Sequence, residues 1–271
     1  YIWRGAYPEA FKSILNKPNF KQKFMGDNFR SNQQIQNYSN LLCDGTRDLY
    51  NPTDNIDNIV WLSSTDANWA TKVLSNIDPN KSSALLRFSN KNAKNGADKL
   101  TTNGLECVYI PQIPIADITT ETAWLYTSIA KYFILEKYSV YDVISEIPVE
   151  GNENNKTVST IKRLLNKIEK NINDEPSFSS SVTALAKYLG YETRQDHIDK
   201  LFETISDSNY HVAFEQDKYK HIATTFHSSK GLEFEQVIIF AEDYSLKDMP
   251  SIYNHYVAAT RAKNKLIIVK L

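Results

Sequence analysis

Short apolar runs alternate with helical periodicity in two separated stretches of the chain, and a long helical block lies between them. In the first stretch the runs Lys23–Met25, Ile59–Ser63, Ala84–Phe88 and Cys107–Ile110 predict strands, with helices near Ala10–Asn16, Asn32–Leu42, Asp66–Ser75 and Lys91–Asn103 between them. In the last, His221–Phe226, Gln236–Ala241 and Lys265–Lys270 predict strands and Ile252–Ala262 a helix. Strands separated by helices need crossover connections, which build a parallel sheet, and near-continuous Val/Ile runs mark strands covered on both faces. The outer stretches, about Tyr1–Ile115 and Gln216–Leu271, are expected to form a single α/β sheet.

From about Asp117 to Glu215 the period changes. Trp124, Leu125, Ile129, Phe133 and Ile134 recur at helical spacing, as do Val158, Ile161, Leu164, Leu165 and Ile168. Pro111 and Pro114 interrupt the chain before this block, and the polar run Glu150–Lys156 predicts a loop inside it. The expected division is 1–116, 117–215 and 216–271, the helical block being an insertion into the sheet domain.

Composition narrows the class of protein. With 271 residues, 31 basic against 32 acidic, and 41 % hydrophobic, the chain has the make-up of an ordinary globular protein of about two domains. Eight Gly and nine Pro are too few for a linker-rich or low-complexity chain. Cys43 and Cys107 form no metal-binding or disulfide pattern, which predicts a reducing, cytoplasmic setting and no metal held by cysteine. The longest apolar runs, such as Val237–Ala241, are far shorter than the roughly 18 residues of a membrane span. A chain opening on Tyr1, with no initiator Met or leader, predicts a processed product or a piece of something longer. A net charge of −1 argues against bulk electrostatic binding of nucleic acid, while leaving room for a local basic groove.

Four segments carry candidate chemistry. Thr225-Phe226-His227-Ser228-Ser229-Lys230-Gly231-Leu232-Glu233-Phe234 leads into a buried strand; its glycine lets backbone approach a ligand, and His227, Lys230 and Glu233 bring a donor, a cation and a carboxylate to a sheet edge. A polar turn of interesting composition is the bland reading. Tyr256-Val257-Ala258-Ala259-Thr260-Arg261-Ala262 sets Arg261 at a helix end, either to place a planar cation on a phosphate or simply to face the helix dipole. Asp27-Asn28-Phe29-Arg30-Ser31-Asn32 puts a flat stacking ring beside a cation and ahead of a helix that Ser31 or Asn32 can cap, or is just an N-cap with a buried Phe. Tyr1-Ile2-Trp3-Arg4-Gly5-Ala6 adds another aromatic–cation–glycine turn, or a frayed terminus.

The joint occurrence of YxWRGA, NFRS, TxHxxKGLEF and YVAATRA in this order resembles the C-terminal half of UvrD/Rep-type superfamily 1 DNA helicases, as their motifs III, IV, V and VI. The resemblance implies a RecA-like, P-loop-NTPase-type parallel sheet with helices on both faces. It implies the second motor domain of an ATP-dependent helicase or translocase that works with an N-terminal RecA-like domain of the same protein and moves on single-stranded DNA, 3′ to 5′ by analogy. By similarity, Phe29 stacks on adenine, Arg30 and Arg261 reach the γ-phosphate as catalytic cations, and Gly231 and Glu233 touch ribose and phosphates. Trp3 is similar to a base-stacking aromatic, Arg4 links it to the nucleotide side, and Thr225, His227 and Lys230 match residues that hold the DNA backbone. The cofactor implied is ATP with Mg²⁺, whose ligands belong to the N-terminal domain, because GxxxxGK[ST] and the acidic strand end are absent from this sequence. The fragment alone is therefore expected to be inactive. Ser251-Ile252-Tyr253-Asn254-His255 departs from the family, which carries acidic and basic residues there, and the insertion resembles the family's regulatory subdomain in position only. The competing reading is a non-catalytic nucleic-acid-binding or interaction module derived from a helicase.

Overall fold

The computed structural model describes residues 8–15, 17–19, 21, 28–51, 57–148 and 155–271. The expected strand Lys23–Met25 and the first motif segment, with Trp3 and Arg4, lie outside the described residues.

Helix α1 (Pro8–Leu15) and helix α2 (Gln33–Leu42) precede the first strand, β1 (Ile59–Ser63). Then come α3 (Trp69–Leu74), β2 (Ser83–Arg87), α4 (Asn90–Thr102) and β3 (Val108–Tyr109). Helices α5 (Ala123–Ile134), α6 (Val140–Ser145), α7 (Asn155–Lys170), α8 (Glu175–Tyr188) and α9 (Gln195–Ser206) follow, with no strand between them among the described residues. The chain returns to the sheet with β4 (His221–Thr225), β5 (Phe234–Phe240), α10 (Met249–Ala259) and β6 (Ala262–Lys270).

Among the described residues six strands form one sheet, all parallel, in the order β1-β6-β5-β2-β4-β3. Strand β2 comes from the first stretch and both of its neighbours, β4 and β5, from the last, so the two stretches build one interleaved sheet. Within each apolar run, alternate residues face opposite sides. Ala84, Leu86, Val237, Ile239, Leu266 and Ile268 share a core with Ile35 of α2 and Ala258 and Ala259 of α10. Leu85, Ile238, Phe240, Ile267 and Val269 share the other with Trp69 and Val73 of α3 and Ala97 and Leu100 of α4. Gly96 lets α4 lie close on β2, since a methyl group there would collide with Leu85 Cδ2. Helices α5–α9 close on a third core that includes Leu125, Ile129, Ile161, Leu165, Phe178, Val182 and Leu201. Among the described residues no helix is long and apolar enough to cross a membrane.

Two expected boundaries are corrected. The helix expected over Ile252–Ala262 runs three residues earlier, because the Asp248 side chain accepts from Ser251 N–H at 2.9 Å and caps it there, with Pro250 in the first turn. The last strand starts at Ala262 rather than Lys265, since Ala262 already pairs with Phe234 of β5.

Candidate nucleotide and nucleic-acid interface

The segment before α2 is stitched to the start of β6. Ser31 Oγ donates to the Ala262 carbonyl at 2.6 Å, Asn32 N–H to Lys263 O at 2.8 Å, and Asn32 Nδ2 to Asn264 O at 2.7 Å. Of the two expected caps, Asn32 is the one used: its Oδ1 accepts from Ile35 N–H at 3.0 Å. Asn28 Oδ1 accepts from Arg30 N–H at 2.9 Å, closing a turn that leaves the Phe29 side chain 94 % exposed. The expected buried-Phe alternative is excluded by that exposure.

This stitching places Arg30 beside Glu233. Its Nε lies 2.5 Å from Glu233 Oε1, and its Nη1 reaches the Thr260 carbonyl at 3.5 Å. Lys263 Nζ stands 3.6 Å from the other carboxylate oxygen. The Arg30 guanidinium first, and Lys263 after it, holds the Glu233 carboxyl below its ordinary range. Arg261 follows α10 rather than ending it, and its guanidinium is half-buried: Nε donates to Val257 O at 3.1 Å and Nη1 to Leu232 O at 3.3 Å. Two arginines from opposite ends of the sequence thus meet around Leu232-Glu233, just before β5. Gly231 carries the chain into that corner with φ +84°, a left-handed conformation that favours glycine.

Thr225, His227 and Lys230 belong to the other end of the sheet. Thr225 is level with Arg87 at the top of β2, whereas Gln236 is level with Ser83 at its foot. Residues 226–233 therefore run down the whole sheet, and Glu233 lies on the order of 20 Å below Thr225 along the strand axis. The expectation that His227, Lys230 and Glu233 share one edge is corrected accordingly: the segment serves two ends of the sheet. Thr225 is only 3 % exposed, and its hydroxyl is 3.0 Å from Ser228 Oγ and accepts Ser228 N–H at 3.2 Å. Its hydroxyl shapes the turn that leads to His227 and Lys230. The His227 ring lies against Phe226, centroids 3.8 Å apart. With Ser228 and Lys230 it lines a cavity of about 250 Å³ that is also lined by Ile110–Ile113, Ala213 and Gln216, from the two connections to the helical block.

The departure at His255 also has a structural outcome. His255 is buried beneath the sheet, its Nε2 is 2.8 Å from Tyr38 Oη, and its ring packs against Tyr38 and Tyr244. Burial pushes its imidazole down to about 4. Aromatic contact of α10 with α2 stands where the sequence departs from the charged residues of the resembled family. The pairing was not visible in sequence, since nothing near Tyr38 marks it as a partner for a residue 217 positions away.

Residues 221–269, which contain β4, the descending segment, α10 and nearly all of β6, match the UvrD-like helicase C-terminal domain. That C-terminal stretch is UvrD-like in sequence. The chain is 34 % identical over 280 residues to the Gabija protein GajB of Bacillus cereus (strain VD045), with 99 % of the chain and 55 % of that protein covered, so it spans about half the length of this curated relative. Among solved structures, the C-terminal domain of a possible DNA helicase from Lactobacillus plantarum WCFS1 is similar over 90 % of the chain and 88 % of its own length, at 12 % identity and a TM-score of 0.39. The UvrD-like match covers Glu233 and Arg261 directly; Phe29 and Arg30 lie outside it in sequence and are joined to it by the ion pair and the bonds to β6.

Proposed function

We propose that this chain is the second motor domain of an ATP-dependent DNA helicase or translocase, and that residues 1–116 and 216–271 constitute that domain with 117–215 inserted. The carrying observation is the meeting of Arg30, Glu233 and Arg261 at one end of the sheet, next to the exposed Phe29.

Those residues fit an adenine nucleotide presented by a partner domain. Phe29 offers a flat apolar face for the base. Glu233 fixes Arg30 through Nε, so the guanidinium is held in plane before any ligand arrives, and Arg261 is braced by two backbone carbonyls. When bound, ATP supplies the phosphoanhydride whose cleavage drives the cycle. The cations of this chain stabilise the charge that gathers on the γ-oxygens, and a well-placed arginine contributes on the order of 10³–10⁵ in rate. The Mg²⁺ ligands and the phosphate loop belong, on this reading, to the N-terminal RecA-like domain. At the other end of the sheet His227, Ser228 and Lys230 face single-stranded DNA, and movement is 3′ to 5′.

The test is steady-state ATP hydrolysis by the complete protein with and without single-stranded DNA. Hydrolysis stimulated by DNA is the expected result. A complete protein that neither hydrolyses ATP nor responds to DNA overturns the proposal and favours the non-catalytic module.

A further inference from the structure

Phe88 follows β2 at the upper end of the sheet, outside all four motif segments, and it is 52 % exposed. Its backbone is held with unusual care. Phe88 N–H donates at 3.1 Å to Asp243 Oδ2, and the same carboxylate receives Arg87 Nε at 2.5 Å and Nη2, through Oδ1, at 3.1 Å. The Arg87 guanidinium also lies 3.7 Å over the Phe240 ring. The two charged side chains are only 12 % and 8 % exposed, and a buried ion pair of this kind yields little net stability once its desolvation is counted. What it does yield is a fixed position for the residue after Arg87. The Phe88 ring is stacked on buried Phe226 at 5.8 Å and 29°, and the His227 ring meets it edge-on at 6.4 Å. Its sequence neighbours are polar: Ser89 caps α4, Asn90 is exposed, and Lys91 is an exposed cation in the first turn of that helix.

We propose that Phe88 is a nucleobase-stacking platform for a single-stranded nucleic acid, pre-set by the Arg87–Asp243 pair. The inference rests on the nucleic-acid reading of the upper end of the sheet. A lone exposed ring among Ser, Asn and Lys lacks the contiguous apolar area of a protein-docking surface, whereas an aromatic face with a cation beside it suits a base and its phosphate. Stacking reads no hydrogen-bond pattern, so this platform is indifferent to base sequence, as a translocating motor requires. Arg87 and Asp243 are positioning residues.

The experiment measures binding of the complete protein, at one fixed salt concentration, to an oligothymidylate and to an abasic oligomer of equal length. Phe88→Ala and Phe88→Leu weaken oligothymidylate binding about tenfold and leave abasic binding unchanged. Phe88→Trp retains affinity, and its added indole emission is quenched by the oligothymidylate but not by the abasic oligomer. If both probes lose affinity equally, the ring is a structural element and the proposal is overturned. If Phe88→Leu binds oligothymidylate as the wild type does, the proposal is overturned while the nucleic-acid reading stands. If the wild-type protein binds neither oligomer, both fall together.

Discussion

Arg30 Nε and Glu233 Oε1 lie 2.5 Å apart although 203 positions separate them in sequence. Both side chains are about a third exposed, so the pair contributes about 1 kcal/mol or less to stability. Its consequence is orientation: one carboxylate at the foot of β5 decides where the guanidinium from the α2 segment points.

Glu233→Ala in the complete protein is therefore expected to shift the denaturation free energy by about 1 kcal/mol or less while lowering ATP turnover by at least tenfold. Chemical denaturation and steady-state kinetics on the same sample check the two numbers against each other. The depressed Glu233 carboxyl sets a pH window as well. Its pairing is fully present above the ordinary glutamate range of about 4.3 and is lost as pH falls through the lower native value, so the variant and wild-type turnover ratio stays flat from neutral pH down to about 5.

Gly96→Ala tests how tightly α4 lies on β2. Alanine favours a helix over glycine by about 1 kcal/mol, but the new methyl group meets Leu85 Cδ2 in a close-packed core, where overpacking costs about 1–3 kcal/mol. A net loss of stability is expected, read as a lower denaturant midpoint with unchanged slope.

His255 makes stability depend on acid. Its native value of about 4 lies below the ordinary 6.5, so the unfolded chain takes up the proton first. This contribution is complete above about pH 6.5 and declines as pH falls toward 4, by on the order of 3 kcal/mol. Burial lowers His197 and His221 in the same direction, so the wild-type slope is shared. The difference between wild type and His255→Phe, measured by denaturant unfolding between pH 4 and 7, isolates the His255 share; it is a shallower slope in the variant.

Much of this architecture was legible because burial and chemistry left separate marks. Runs such as Ala84-Leu85-Leu86 became strands where expected, since a strand covered on both faces must be apolar throughout. The meeting of Arg30, Glu233 and Arg261 was readable only through resemblance, because apart from the Arg30–Glu233 ion pair the contacts joining them run through backbone carbonyls of residues 232, 257 and 260 that any side chain could carry. Three features left no sequence signal. The descent of residues 226–233 across the sheet depends on β2 standing between β4 and β5, a long-range pairing. The turn after Thr225 depends on its side-chain bonds to Ser228. Phe88 looks like the last residue of an apolar strand, and only the Asp243 carboxylate, 155 positions away, shows that it is held at the rim.

The central claim is that Arg30 and Arg261 act together on a nucleotide held between this domain and its N-terminal partner. Single-strand-stimulated ATP turnover of the complete protein, measured for Arg30→Ala and for Arg261→Ala alongside binding of a fluorescent ATP analogue, tests it most directly. The account predicts that each variant loses turnover by on the order of 10³ while analogue affinity changes by less than about tenfold, because these cations favour the transition state over the ground state. Turnover near wild type in both variants would contradict it.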